Sequence, residues 1–81
     1  MEKIGEITHF FDKIWVAVIK LEKELKVGDK INVEGKEGPF EQKVNSMQVD
    51  HKNIESAKSG DEVGLKLDNS VRVGAAVYKI E

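Results

Sequence analysis

The sequence repeats a short turn element, and each copy stands before a stretch of alternating apolar residues. Residues 25–31 read LKVGDKI, residues 57–63 read AKSGDEV, and residues 73–77 (VGAAV) form a weaker copy in which alanine replaces the aspartate. Apolar residues at every second position are typical of a half-buried strand. Glycine can adopt the positive φ that a tight turn needs, and aspartate can accept hydrogen bonds from nearby backbone amides. The repeat therefore predicts three places at which the chain turns into a sheet.

Most of the remaining sequence also has the pattern of strands. Residues 4–10 and 13–21 are rich in apolar residues, and the second of these (KIWVAVIKL) has many β-branched side chains. Residues 40–49 alternate through Phe40, Gln42 and Val44 and then change phase at Ser46–Met47, which predicts a β-bulge there. Residues 35–39 form a loop, and only residues 21–25 and 53–58 could be helical, over a single turn. We expect an all-β fold, a small closed antiparallel β-barrel of about six strands.

Length and cysteine content limit the class of protein. A chain of 81 residues is long enough for one domain, which we expect to span residues 1–81. Without cysteine it has no disulfides and no thiolate metal site, which suits a reducing cytosol. Its apolar runs are too short to span a bilayer. We therefore expect a soluble, cytoplasmic protein.

The charges are dense but balanced. Thirteen basic residues face 15 acidic ones, giving a formal net charge of −2, and Arg72 is the single arginine. Strong nucleic-acid binders usually carry a concentrated basic field, because phosphate neutralisation dominates their affinity. This composition has no such field.

No residue pattern indicates catalysis. His9 and His51 lie far apart, and neither has other strong ligands at metal-binding spacing. The carboxylate pairs stand in charged turns, and neither a nucleophile motif nor a phosphate-binding loop occurs. We predict no catalytic residue, no metal site, no cofactor and no bound nucleotide, and hence no enzyme. A deep pocket with two close carboxylates would favour an enzyme instead.

Taken in order, the turn elements, residues 44–47 (VNSM) and residues 73–78 (VGAAVY) resemble the second domain of translational GTPases such as elongation factor Tu and initiation factor two. The sequence is more similar still to small stand-alone translation-elongation-factor-like proteins, and to the barrel that ends collagenase-like peptidase family proteins linked to tRNA modification. The resemblance implies a domain-2-type barrel. It also implies a surface near residues 44–48, where the elongation factor holds the acceptor end of aminoacyl-tRNA. In this sequence residues 10–15 (FFDKIW) replace the glycine-rich start of the family's second strand, and the guanine-nucleotide apparatus is absent.

The first functional hypothesis is a non-enzymatic module that contacts RNA, such as tRNA, or a translation or RNA-modification complex. Residues 9–15 combine three aromatic residues with a histidine and a lysine, and unpaired RNA bases stack on such aromatic rings. The candidate surface consists of His9, Phe10, Lys13, Trp15, Met47 and Gln48. The alternative is structural: Phe10 and Phe11 would close the end of the barrel, and Trp15 would pack under a loop.

The second hypothesis is a protein–protein adaptor that docks on a larger enzyme, such as a collagenase-like peptidase family protein. In residues 14–19 (IWVAVI) both strand faces are apolar, so some of these side chains must point outwards. They lie either under a loop of the same chain or in an exposed docking patch. The sequence leaves open which face is inward, which partner binds and whether the chain self-associates.

Overall fold

The computed structural model describes residues 1–80, and these form ten strands and no helix. Apolar residues alternate along β2, β4 and β9, so each of these three strands buries one face and turns the other outwards. The strands are β1 (Glu2–Phe11), β2 (Val16–Leu21), β3 (Leu25–Lys26), β4 (Lys30–Gly35), β5 (Gly38–Lys43), β6 (Met47–Val49), β7 (Lys52–Ile54), β8 (Ser56–Ala57), β9 (Glu62–Lys66) and β10 (Ala76–Ile80).

Eight strands form one antiparallel sheet in the order β5-β4-β10-β1-β2-β9-β6-β7, and β3 pairs with β8 in a separate two-stranded sheet. The inward side chains form a single apolar core. Its fully buried members come from most strands of the large sheet and include Ile4, Ile7, Ile19, Ile31, Val33, Met47, Val63, Leu65 and Val77.

The three repeated elements form the same four-residue turn, as predicted. In each turn, at Lys26–Asp29, Lys58–Asp61 and Arg72–Ala75, the fourth residue donates its N–H to the carbonyl of the first. The third residue is glycine with a φ between 93° and 99°, the conformation that a type II turn requires there. In the first two turns the aspartate carboxylate also accepts the N–H of the first residue, at 2.9 Å in one and 3.1 Å in the other.

Each turn also binds both backbone groups of one buried residue on another part of the chain. The glycine N–H donates to that residue's carbonyl, and that residue's N–H donates to the carbonyl of the turn's fourth residue, over 2.7 to 2.9 Å. The residues held in this way are Val44, Leu21 and Ile7, bound by the first, second and third turns respectively. Buried backbone groups need such partners, so the turns complete the hydrogen bonding where the regular strand pairing ends.

The two outermost strands of the large sheet are not paired with each other, so its backbone hydrogen bonding does not close into a ring. The predicted closed barrel is therefore not confirmed. The outermost strands are β5 and β7. However, β5 continues into β6 through only three residues, 44–46, and β6 pairs with β9 on the far side of the sheet. The change of phase at Ser46–Met47 is therefore the point at which the chain exchanges one neighbouring strand for another. The predicted bulge at this point is wrong; the register shifts occur instead within β1.

The side chain of Gln42 bridges the gap between β5 and the end of β9, which we call the seam. Its Nε2 donates to the carbonyl of Lys66 at 2.9 Å, and its Oε1 accepts the N–H of Asp68 at 2.8 Å. The amide thus bonds to groups on either side of Leu67, as the N–H and C=O of one residue in a neighbouring parallel strand would. Gln42 is the one polar residue that is buried within residues 1–80.

Three further expectations need correction. Residues 21–25 run from the end of β2 through a bend at residues 22–23 to the start of β3, and residues 53–58 run through β7 and β8, so neither segment is helical. The strand predicted from residue 13 begins only at Val16, because residues 12–15 form a turn. Residues 35–39 are the tip of the β4–β5 hairpin rather than a separate loop. Local composition marked these boundaries poorly because strand pairing decides them.

The two ends of the sheet differ in chemical character. Four ion pairs cluster where β1 and β4 begin: Lys3–Glu22, Lys23–Glu2, Lys26–Glu24 and Lys79–Asp29. The opposite end holds the β1–β2 and β4–β5 turns. Residues 1–80 contain no helix that could cross a membrane.

Replacing Asp61 tests the turn geometry. Asp61→Ala removes the carboxylate that accepts the Lys58 N–H, and we expect a loss of about 1 kcal/mol in the free energy of unfolding in urea. Asp61→Asn keeps an acceptor oxygen and should recover most of that loss. Asp12→Ala, at an exposed position in the β1–β2 turn, is the control. Equal losses in Asp61→Ala and Asp12→Ala would contradict the assignment.

Replacing Gln42 tests the seam. Gln42→Met leaves the Lys66 carbonyl and the Asp68 N–H without this partner and should lower the free energy of unfolding by about 1 to 2 kcal/mol. The control is Glu41→Met, on the outer face of the same strand, which should lower it much less.

Gln42→Glu adds a pH dependence to this test. At neutral pH its carboxylate cannot donate to the Lys66 carbonyl, but below about pH 4 the protonated carboxyl can. The stability of Gln42→Glu relative to Gln42→Met should therefore rise on acidification and fall as the pH increases. A pH-independent difference between the two variants would show that the seam amide is not a donor.

Candidate functional site

Three large apolar side chains are exposed together around the β1–β2 turn. Phe11 is 51% exposed, Ile14 60% and Trp15 41%, and we call these three residues the apolar tip. All three lie in the β1–β2 turn or directly beside it, since Phe11 pairs with Val16 across the hairpin and the Ile14 N–H donates to the Phe11 carbonyl at 3.2 Å. Large apolar side chains exposed within one short segment indicate a contact surface more strongly than isolated ones.

The backbone and ring of Trp15 are both held by neighbours. Its φ is +57°, which is unusual for a bulky side chain. Its carbonyl accepts the Leu67 N–H at 2.8 Å, and its ring meets Phe10 edge to face, with 6.2 Å between the ring centroids. Phe10 in turn packs against the core. Since Leu67 also lies between the two seam bonds of Gln42, that amide helps to position the segment that holds Trp15.

A groove of about 460 Å³ opens beside Trp15 at the same end of the sheet. We call it the mouth groove; it is lined by Trp15, by residues 35–40 of the β4–β5 hairpin, and by Asn69 and Ser70. The Lys36 N–H donates to the Ser70 carbonyl at 3.1 Å, which ties one wall to the other. A Cβ on Gly35 would lie 2.7 Å from the Gly38 carbonyl and 2.9 Å from the Phe40 ring, so the floor of the groove requires glycine there.

Most residues of the predicted surface are at least partly exposed, but one of them is buried in the core. His9, Lys13 and Trp15 are exposed at or beside the apolar tip, and Phe10 is half-buried. The His9 ring stacks on the Phe11 ring, with 6.3 Å between the ring centroids. Gln48 is exposed on β6, in the same row across the sheet as His9. Three strand spacings, about 14 Å, separate the two. Met47 is fully buried because its side chain faces the core, so its assignment to the surface is corrected.

The structure shows which side chains of residues 14–19 point outwards. Ala17 and Ile19 point into the core, whereas Val16 and Val18 are half-buried on the other face and Ile14 is exposed in the turn. The exposed patch is thus the turn itself rather than the strand that follows it.

Sequence reasoning missed the second wall of the site. Pro39, Phe40 and Asn69 lie far from Trp15 in sequence and meet it only because the β4–β5 hairpin and the loop after β9 reach the same end of the sheet. Gln42 did leave a signal, since it is a polar residue at an inward position of an alternating strand. Within residues 1–80 no three side chains of histidine, aspartate and glutamate are grouped as a metal site.

Comparisons with known proteins find similarity in sequence to part of a protein named as a protease. No family model matches the sequence. An uncharacterized protease of Methanocaldococcus jannaschii is 45% identical over 80 residues, which are 98% of this chain but only 20% of that protein.

Solved structures show the same fold. Two crystal structures of the C-terminal domain of a putative U32 peptidase from Geobacillus thermoleovorans superpose with TM-scores of 0.90 and 0.91 at 17% and 16% identity. These superpositions cover 98% and 99% of this chain and 100% and 93% of the other chains. At such identity the likeness is one of fold alone.

These findings support the peptidase side of the resemblance and give no support to the link with translational GTPases. The chain has the fold of that C-terminal peptidase domain, and it corresponds in sequence to one fifth of the Methanocaldococcus protease.

Proposed function

We propose that this chain is a non-catalytic accessory domain that docks, through the apolar tip, on the larger body of a peptidase-type protein. The observation that carries the proposal is the sequence match: nearly the whole chain aligns with one fifth of the Methanocaldococcus protease, and the other four fifths provide a body on which a domain of this kind can pack. The superposition on the C-terminal domain of a putative U32 peptidase agrees with it in fold.

The chemistry of the apolar tip suits this role. Phe11, Ile14 and Trp15 offer apolar area but no acid, base or nucleophile. Aromatic side chains are over-represented among the residues that dominate the binding energy of protein interfaces, Trp and Tyr most of all. The balanced charge of the chain is also compatible with a protein partner.

Direct contact with RNA, the first hypothesis from the sequence, stays a prediction. His9, Lys13 and Trp15 remain exposed near one another and could accept a stacked base. The relatives reported above are named as a protease and a peptidase, so the comparisons favour the adaptor alternative.

A chimaera tests the docking. This chain replaces the 80 aligned residues of the Methanocaldococcus protein, and amide hydrogen exchange is compared between the chimaera and the isolated chain. We expect exchange in residues 11–16 to slow by at least about tenfold in the chimaera, because docking covers the apolar tip. Chimaeras carrying Phe11→Ser and Ile14→Ser should lose that protection.

The β6–β7 turn provides the internal control. Asp50 and His51 also form an exposed hairpin tip with positive φ, yet they carry no large apolar side chain. Their exchange should be the same in the chimaera and in the isolated chain. Unchanged exchange in residues 11–16, or equal protection of both hairpin tips, would refute docking through the apolar tip.

A further inference from the structure

The mouth groove combines an apolar wall with polar groups that have no partner in residues 1–80. Trp15, Pro39 and Phe40 supply the apolar surface. The Trp15 indole N–H and the side chains of Asn69 and Ser70 make none of the side-chain hydrogen bonds found within residues 1–80. A concave surface that combines aromatic rings with polar groups is a usual form of a ligand site, and the volume of the mouth groove, about 460 Å³, lies within the usual range of about 300 to 1,000 Å³.

The groove is also held in shape before any ligand arrives. The left-handed backbone of Trp15 is fixed by the bond from Leu67, its ring is set against Phe10, and the Lys36–Ser70 bond joins the opposite walls. An unusual backbone conformation at a bulky residue is often found at ligand clamps. A preformed groove binds with a smaller loss of conformational entropy.

The charges around the groove favour an uncharged ligand. Lys36 and Glu37 are adjacent at its edge and have opposite signs, so the groove has no net positive field to attract a phosphate backbone. What fits is a ligand with flat apolar surfaces that carries carbonyl acceptors for the indole N–H and the Asn69 amide. A polypeptide in the polyproline II conformation has both, and aromatic-lined grooves are a recurrent way of binding it.

We propose that the mouth groove binds an extended, proline-containing peptide segment, with proline rings against Trp15 and Phe40 and peptide carbonyls facing the indole N–H. The inference rests on the proposed function, because the segment would belong to the larger protein on which this domain docks. The Methanocaldococcus relative has four fifths of its chain outside the aligned region, and the segments that join domains are often rich in proline.

Fluorescence titration of the chain with acetylated, amidated hexaproline tests the proposal. Trp15 is the single tryptophan, so its emission reports the groove directly. We expect a saturable blue shift with a dissociation constant on the order of 1 mM or lower. A glycine–serine hexapeptide of the same length should produce no saturable change. The absence of saturation by hexaproline, or equal binding of both peptides, would overturn the proposal, and so would tighter binding of a uridine hexamer.

Two variants, followed by amide NMR shifts, locate the binding. Trp15→Leu should weaken hexaproline binding at least about tenfold, and Asn69→Ala, on the exposed rim, should weaken it several-fold without involving Trp15 packing. Val73→Ala trims an exposed apolar side chain outside both the groove and the apolar tip and should leave the dissociation constant unchanged. Shifts that spare Gly35 and Gly38, or equal weakening by Val73→Ala, would refute the assignment.

The peptide test and the chimaera test can have different outcomes, so they distinguish the peptide groove from the docking. Hexaproline binding with unchanged exchange in the chimaera would retain the groove as a proline-peptide site but remove both docking through the apolar tip and the larger protein as the source of the segment. Protection of the apolar tip without hexaproline binding would retain docking and remove the groove as a peptide site.

Discussion

The fold depends on three turns that each hold a single residue of a distant segment by both its N–H and its carbonyl. Ile7, Leu21 and Val44 lie in the core, where unpaired backbone groups are costly. The turn supplies one donor from its glycine and one acceptor from the next residue, so a single local conformation satisfies two long-range bonds. In all three copies the glycine has a φ near 95°. Glycine adopts this backbone conformation with little steric cost because it has no Cβ.

This arrangement explains which structural features could be read from the sequence. The turns are local, and their glycine and aspartate residues have direct physical roles, so the repeat predicted their positions and the strands after them. The all-β class followed from the alternation of apolar residues after the turns, and β1 followed from its content of apolar residues. The exchange of partners between β5 and β6 was misread as a bulge, because a change of phase records only that the inward face has changed and not which strand lies alongside.

The candidate site was predictable only in part for the same reason. The aromatic cluster of residues 9–15 is contiguous in sequence and drew attention to Trp15. The other wall of the mouth groove comes from segments 20 or more residues further along, which meet Trp15 through the topology of the sheet. Met47 was assigned to the surface by analogy with a tRNA-binding strand, whereas the alternation of β6 turns it into the core. Even Trp15 owes its position to distant groups, through Leu67 and the Gln42 amide.

The four ion pairs and the apolar tip lie at opposite ends of the sheet, so the two ends differ in chemistry. Salt-bridged side chains are half-exposed at one end, where they favour hydration, and uncharged rings stand at the other. A partner that covers the rings must approach along the long axis of the strands. In the docking proposed above, the end with the ion pairs lies away from the partner and stays in contact with water.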